Sequence, residues 1–149
     1  MTISRSARVT WEGSNARGGG TISAASSGAF TELPFRELTR VADHDGQTSP
    51  EELLAAAHAG CYAMSLAFEL SQAKTPPGSL EVRCTISLAE ADGSWQIVRS
   101  QLDVRGSAPK ADASGFEAAA RAADSCPFST LIRAGGGAVD ITTTWEGNH

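Results

Sequence analysis

The chain has 149 residues, with 12 basic against 17 acidic side chains and a net charge of -5, and no basic stripe gathers anywhere along it, which argues against a nucleic-acid partner. Its length is that of a single domain spanning 1-149, enough to bury roughly two-thirds of the unfolded surface. The opening MTISRSARVTWEGS has no apolar export segment, so a cytoplasmic location is expected, and three widely spaced cysteines, Cys61, Cys84 and Cys126, suit neither a disulfide scaffold nor a metal knuckle.

In chain order, Arg8 to Glu12, Thr21 to Ser26 and Phe30 to Phe35 read as short strands separated by Gly-rich turns. A polar loop over 43–48 leads to a marked helix start, with Ser49 as N-cap, Pro50 at the first position and Glu51 and Glu52 in the first turn. Glu52, three residues after Ser49, completes a capping box. The helix is expected to run to about Ala73, where Lys74, Thr75 and the pair Pro76-Pro77 stop it. Leu54, Ala57, Cys61, Met64 and Phe68 form one apolar stripe and Leu53, Ala56, Gly60, Ala63, Ala67 and Leu70 a second beside it, so the helix is expected to be enclosed on most sides. The apolar run from Leu53 to Phe68 falls short of the ~20 residues of a membrane span and contains His58, so no membrane association is expected.

Leu80, Val82, Cys84, Ile86 and Leu88 alternate with polar residues as a half-buried strand, and Asp92-Gly93 turns the chain into a partner strand over Trp95 to Val104. A second helix follows over Ala113 to Ser125, is interrupted at Cys126-Pro127, and gives way to a short helix over Phe128 to Arg133 and a last strand carrying Val139, Ile141, Thr143 and Trp145. The order implies an α+β fold with two central helices packed against antiparallel sheets.

The thiols differ in setting. Cys84 points with Val82 and Ile86, as a small buried hydrophobe. Cys126 caps a new helical segment, where unpaired N–H groups favour a thiolate. Cys61 has apolar neighbours that raise a thiol pKa by desolvation, so a cation must face it if it is to react. Taken locally, Cys126 is the more acidic thiol. His58 reads as a hydrogen-bonded core histidine; a metal set drawn from His58, Cys61, Cys126 and His44 lacks a tight second ligand pair, and no metal or other cofactor is expected. Two cysteines on two buried helices suggest a reversible disulfide formed through a sulfenic acid.

Thr48-Ser49-Pro50-Glu51-Glu52-Leu53-Leu54-Ala55-Ala56-Ala57-His58-Ala59-Gly60-Cys61 and Cys126-Pro127-Phe128-Ser129 resemble the two motifs of the OsmC/Ohr family, the osmotically induced protein C and organic hydroperoxide resistance proteins. The order of elements matches over essentially the whole chain. His58, in place of the tyrosine of the Ohr branch, and Leu131-Ile132 after the second motif put it nearer the OsmC branch.

The resemblance implies a single OsmC-like domain that forms an intertwined homodimer and works as a thiol-dependent peroxidase on organic hydroperoxides. Cys61 would attack and Cys126 resolve, reversing the local ranking of the two thiols. A family arginine maps to Arg40 and a family glutamate to Glu51: Arg40 would hold the Cys61 thiolate, and Glu51 would orient Arg40 through a bidentate contact. The alkyl part of the substrate would lie against Leu54, Met64 and Phe68. A thiol reductant would recycle the disulfide, and family analogy offers a dihydrolipoyl group as one candidate. Two other readings stay open: a redox-responsive module that binds a lipid-like ligand without turnover, and a stress-induced structural dimer.

Overall fold

The structure, a computed structural model, describes residues 1–147. Its contacts divide the chain into two compact units, Met1–Leu53 and Leu54 onward. In the first, β1 (Arg8–Glu12), β2 (Gly19–Ser23) and β3 (Leu33–Phe35) form an antiparallel sheet in that order. Gly20 lies between Trp11 and Phe35 in the strand register. A Cβ at Gly20 would meet the Thr10 carbonyl oxygen at 2.2 Å and both rings within 3.0 Å. Glycine is therefore what lets the two rings close over β2, with centroids 5.4 Å apart. The third strand is shorter than expected. A five-residue helix that the sequence did not announce, α1 (Glu37–Val41), follows it and carries Arg40.

Helix α2 (Pro50–Gln72) starts as expected: the Glu52 N–H donates to Ser49 Oγ at 3.2 Å. The Glu52 carboxylate, however, accepts from the Thr48 hydroxyl at 2.9 Å. At its other end Lys74 takes φ +63°, and the Thr75 N–H reaches back to the Leu70 carbonyl at 2.8 Å. This six-to-one closure stops the helix before the prolines are reached.

In the second unit, β4 (Ser79–Ala91) and β5 (Ser94–Ser107) form a long antiparallel hairpin. Its two turn residues, Asp92 and Gly93, have φ +53° and +78°, the left-handed pair that matches strand twist. α3 (Ala113–Ala122) is capped by Asp112, whose side chain accepts from the Gly115 N–H at 2.7 Å. A 3₁₀ turn (Ala123–Ser125) and α4 (Pro127–Ala134) then lead to β6 (Ala138–Trp145). β6 joins β5 in parallel, which corrects the expectation of antiparallel pairing throughout. The helical crossover brings the chain back to the end of the sheet where β5 began, and only a parallel strand can follow from there.

The core of this unit comprises Tyr62, Leu66 and Leu70 of α2, Leu102 and Val104 of β5, and Phe116, Ala119 and Ala120 of α3. The buried stripe of α2 is thus His58, Tyr62, Leu66 and Leu70; neither predicted stripe forms it, and of their residues only Leu70, from the second, belongs to it. In the single chain Met64 is 77% and Phe68 58% exposed, so α2 is not enclosed on most sides. A helix apolar around its circumference gives no phase by which sequence could choose its inward face. At 23 residues α2 is long and apolar enough to span a bilayer by length and composition. Its buried stripe packs into the core with Leu102, Val104 and Phe116.

Candidate active site

The first unit holds the predicted cation. Arg40 Nε stands 3.0 Å from Glu51 Oε1, and its Nη1 stands 3.9 Å from Glu37 Oε2. The expected bidentate contact is absent: Arg40 Nε faces Glu51 as an ion pair without hydrogen-bond geometry, and a second carboxylate lies near the other end of the guanidinium. α1 and the first turn of α2 supply the three side chains. Arg40 also lines an open depression of about 340 Å³ with Trp11, Phe35 and Pro50.

The second unit holds the thiols, all three free. Cys61, half-buried on α2, and Cys126, buried at the start of α4, line one groove of about 360 Å³ with Met64, Phe68 and Pro127. Pro127 explains the position of Cys126. As the residue before proline it takes φ -60° and ψ 149°, outside the helix, and its sulfur becomes the N-cap acceptor of the Ser129 N–H at 3.5 Å. Burial pushes the Cys61 thiol above its ordinary value; the Phe128 backbone N–H pulls it back down, and the adjacent Cys126 raises it further. Leu54 is not in this groove. It lines a separate depression with Trp95, Ile97, Leu131 and Ile132.

His58 is wholly buried and takes a serine on each ring nitrogen: Nδ1 lies 2.7 Å from Ser100 Oγ and Nε2 lies 2.7 Å from Ser129 Oγ. Neither nitrogen is left for a metal. Burial holds its pKa below the ordinary value, with Asp124 acting to raise it and Arg133 to lower it. Ser129 Oγ in turn lies 3.4 Å from Cys126 Sγ, and Ser100 Oγ lies 3.1 Å from Cys84 Sγ. Cys84 packs beside the core as predicted, with its thiol pushed up by burial and pulled back by Ser100. It is a hydrogen-bonded group rather than a plain hydrophobe.

Ser100 was missed by sequence reasoning. Its one signal is that it shares the inward alternation of Leu102 and Val104, a polar residue at a core position.

This pair of cysteines on two helices, one of them capping the second helix, belongs to a known class of fold. A family profile described as OsmC-like protein matches residues 43–142, and the chain belongs to that family. It is 36% identical over 135 residues to Peroxiredoxin OsmC of Escherichia coli strain K12, covering 90% of this chain and 93% of that one. Among solved structures, the organic hydroperoxide resistance protein OhrB of Bacillus subtilis superposes with a TM-score of 0.67 at 25% identity, covering 95% of this chain and 98% of that one. An organic hydroperoxide resistance protein from Elizabethkingia anophelis shares the fold with a TM-score of 0.71 at 19% identity, covering 99% of this chain and all of the other.

Proposed function

We propose that the chain reduces organic hydroperoxides to alcohols through a sulfenic acid at Cys61 and a disulfide between Cys61 and Cys126. That it is a cysteine-based peroxidase follows from its family and its relatives; the substrate and the order of steps are our reading. The observation that carries it is the shared groove, which puts both thiols beside the apolar Met64 and Phe68.

The Cys61 thiolate attacks the distal peroxide oxygen, forming the S–O bond and breaking the O–O bond, and the alkoxide leaves as the alcohol after taking a proton. Cys126 then displaces water from the sulfenic acid, closing the disulfide. A two-electron thiol reductant, of which a dihydrolipoyl group is one candidate, reopens it. Because burial raises the Cys61 thiol pKa, the thiolate needs a permanent cation. Arg40, oriented by Glu51, fills that role. The working unit is a homodimer in a cytoplasmic setting, and a second copy covers the exposed apolar face of α2.

Turnover of tert-butyl and fatty-acid hydroperoxides is to be compared with that of hydrogen peroxide, using dihydrolipoamide and then monothiols as reductant. Organic substrates are expected to be preferred. Ligand-dependent stabilisation without turnover would replace the enzyme with a binding module. Light scattering at assay concentration should give twice the chain mass, and an active monomer would defeat the dimer.

A further inference from the structure

The five groups Cys126, Ser129, His58, Ser100 and Cys84 form one continuous hydrogen-bonded row through the core. Neither the attack by Cys61 nor the cation accounts for it. A buried polar network persists at a cost unless every member is satisfied, and here the directions close. The Cys126 thiol donates to Ser129 Oγ, having already accepted the Ser129 backbone N–H. The Ser129 hydroxyl is then left to donate to His58 Nε2. His58 carries its proton on Nδ1 and gives it to Ser100 Oγ, whose own hydroxyl donates to Cys84 Sγ.

We propose that His58, acting through the Ser129 hydroxyl, accepts the thiol proton of Cys126 when that residue closes the disulfide on oxidised Cys61. The proposal rests on the peroxidase reading above. His58 touches no reacting sulfur; it is a positioning residue that orients the serine and takes its proton.

The step balances. The S–O bond of the Cys61 sulfenic acid breaks as the S–S bond forms; the Cys126 sulfur is oxidised and the Cys61 sulfur reduced, with no outside oxidant. The thiol proton passes to Ser129 Oγ as the serine proton passes to Nε2. The departing hydroxide takes a proton from solvent to become water, and the imidazolium afterwards releases its own.

The charged and titratable groups around the ring allow this. Asp124, on the 3₁₀ turn, acts to raise its proton affinity, and Arg133, on α4, acts to lower it. The two are themselves ion-paired, so they largely offset one another. The thiols of Cys84 on β4 and Cys126 stand at the two ends of the row. A neutral ring with Nε2 unprotonated is thus the resting form, ready to act as a base.

Two measurements test this. Nitrogen-15 NMR of histidine-labelled protein, with the His58 signals assigned by their loss in H58Q, should show Nδ1 protonated and Nε2 bare from about pH 6 to about pH 8. The opposite tautomer reverses the row and overturns the proposal, and this result holds whether or not the chain turns over peroxide. In the second, one equivalent of tert-butyl hydroperoxide is added, the reaction is quenched with an alkylating agent, and intact mass separates sulfenic acid from disulfide over time. If neither a sulfenic acid nor a disulfide forms in the wild type, the peroxidase reading falls and the proton relay, which rests on it, falls with it. If either forms, closure in the wild type should vary less than about threefold over that pH range. In Ser129→Ala closure should be at least about tenfold slower near pH 6 and rise about tenfold per unit, because the thiolate must then form by free ionisation. Equal pH slopes in the two proteins overturn the relay.

Discussion

Arg40 and Glu51 meet at 3.0 Å through Nε alone, while Glu37 stands 3.9 Å from the other end of the guanidinium. Two carboxylates thus flank one extended cation as ion pairs, and a single ammonium cannot stand at both places. Arg40→Lys keeps the charge and is expected to lose most of the peroxidase activity. Arg40→Ala should raise the thiol pKa of Cys61, read by the pH dependence of alkylation in a Cys84→Ser, Cys126→Ser background. An unchanged rate and an unchanged pKa in Arg40→Ala would remove the cation from the mechanism.

The three cysteines separate by role. Cys61→Ser should abolish turnover. Cys126→Ser should permit the first oxidation and leave a sulfenic acid that proceeds to the sulfinic acid with excess peroxide. Cys84→Ser should retain turnover, since a hydroxyl can take the place of the sulfur beside Ser100 Oγ. Intact mass spectrometry after one equivalent of peroxide distinguishes all three, and a disulfide containing Cys84 would contradict the assignment.

Local signals were legible in the sequence, and long-range ones were not. Ser49, Asp92-Gly93 and Cys126-Pro127 announce a helix start, a hairpin and a second helix start because each conformation is set by the residue and its immediate neighbours. The partners of His58 lie 42 and 71 positions away, so the sequence showed a residue suited to hydrogen bonding but not that Ser100 and Ser129 are its partners. α1 escaped because five residues are too few to show a helical period. The inward face of α2 escaped because Met64 and Phe68 are as apolar as the Leu66 and Leu70 that are buried. Likewise, no spacing rule joins Arg40 to a thiol; that link came from the family motifs.

Acid should weaken the fold through His58. Its folded pKa lies below the ordinary 6.5, so the unfolded chain binds more protons there and stability rises with pH. The contribution is present in full above the unfolded value and is lost as pH falls from about 6.5 towards the lower folded value, at up to about 1.4 kcal/mol per pH unit. Thermal unfolding from pH 7.5 to pH 5 should show a falling Tm. The decline should be shallower in His58→Gln, whatever the absolute stability of that variant.

Gly106 tests the packing of the hairpin beneath α3. A Cβ there would stand 2.6 Å from Leu80 Cδ2, 2.9 Å from the Ser79 carbonyl oxygen and 3.1 Å from Phe116 Cζ. Phe116 is fully buried and the Ser79 oxygen is backbone, so the strain has little room to dissipate. Gly106→Ala is expected to cost about 1–3 kcal/mol, seen as a lower denaturant midpoint at unchanged slope. A midpoint within error of the wild type would mean that β4 and β5 can part locally at that position.

Cys61 lies on an apolar helix surface beside Met64 and Phe68, and that placement suits a substrate with an alkyl chain. Each methylene buried against those two side chains is worth up to about 0.8 kcal/mol, so the apparent Michaelis constant should fall by up to about fourfold per added carbon until the groove is full. Hydrogen peroxide has no chain to bury and gains nothing. Phe68→Ala should flatten the dependence on chain length, because the lost ring is a wall of the groove. Leu54→Ala should leave it as steep as in the wild type, since Leu54 borders the separate depression beside Trp95 and Leu131. The measurement is a series of primary alkyl hydroperoxides of increasing length, assayed against both variants. If Leu54→Ala flattens the series and Phe68→Ala does not, the chain lies in the other depression and the groove beside the thiols serves only the disulfide.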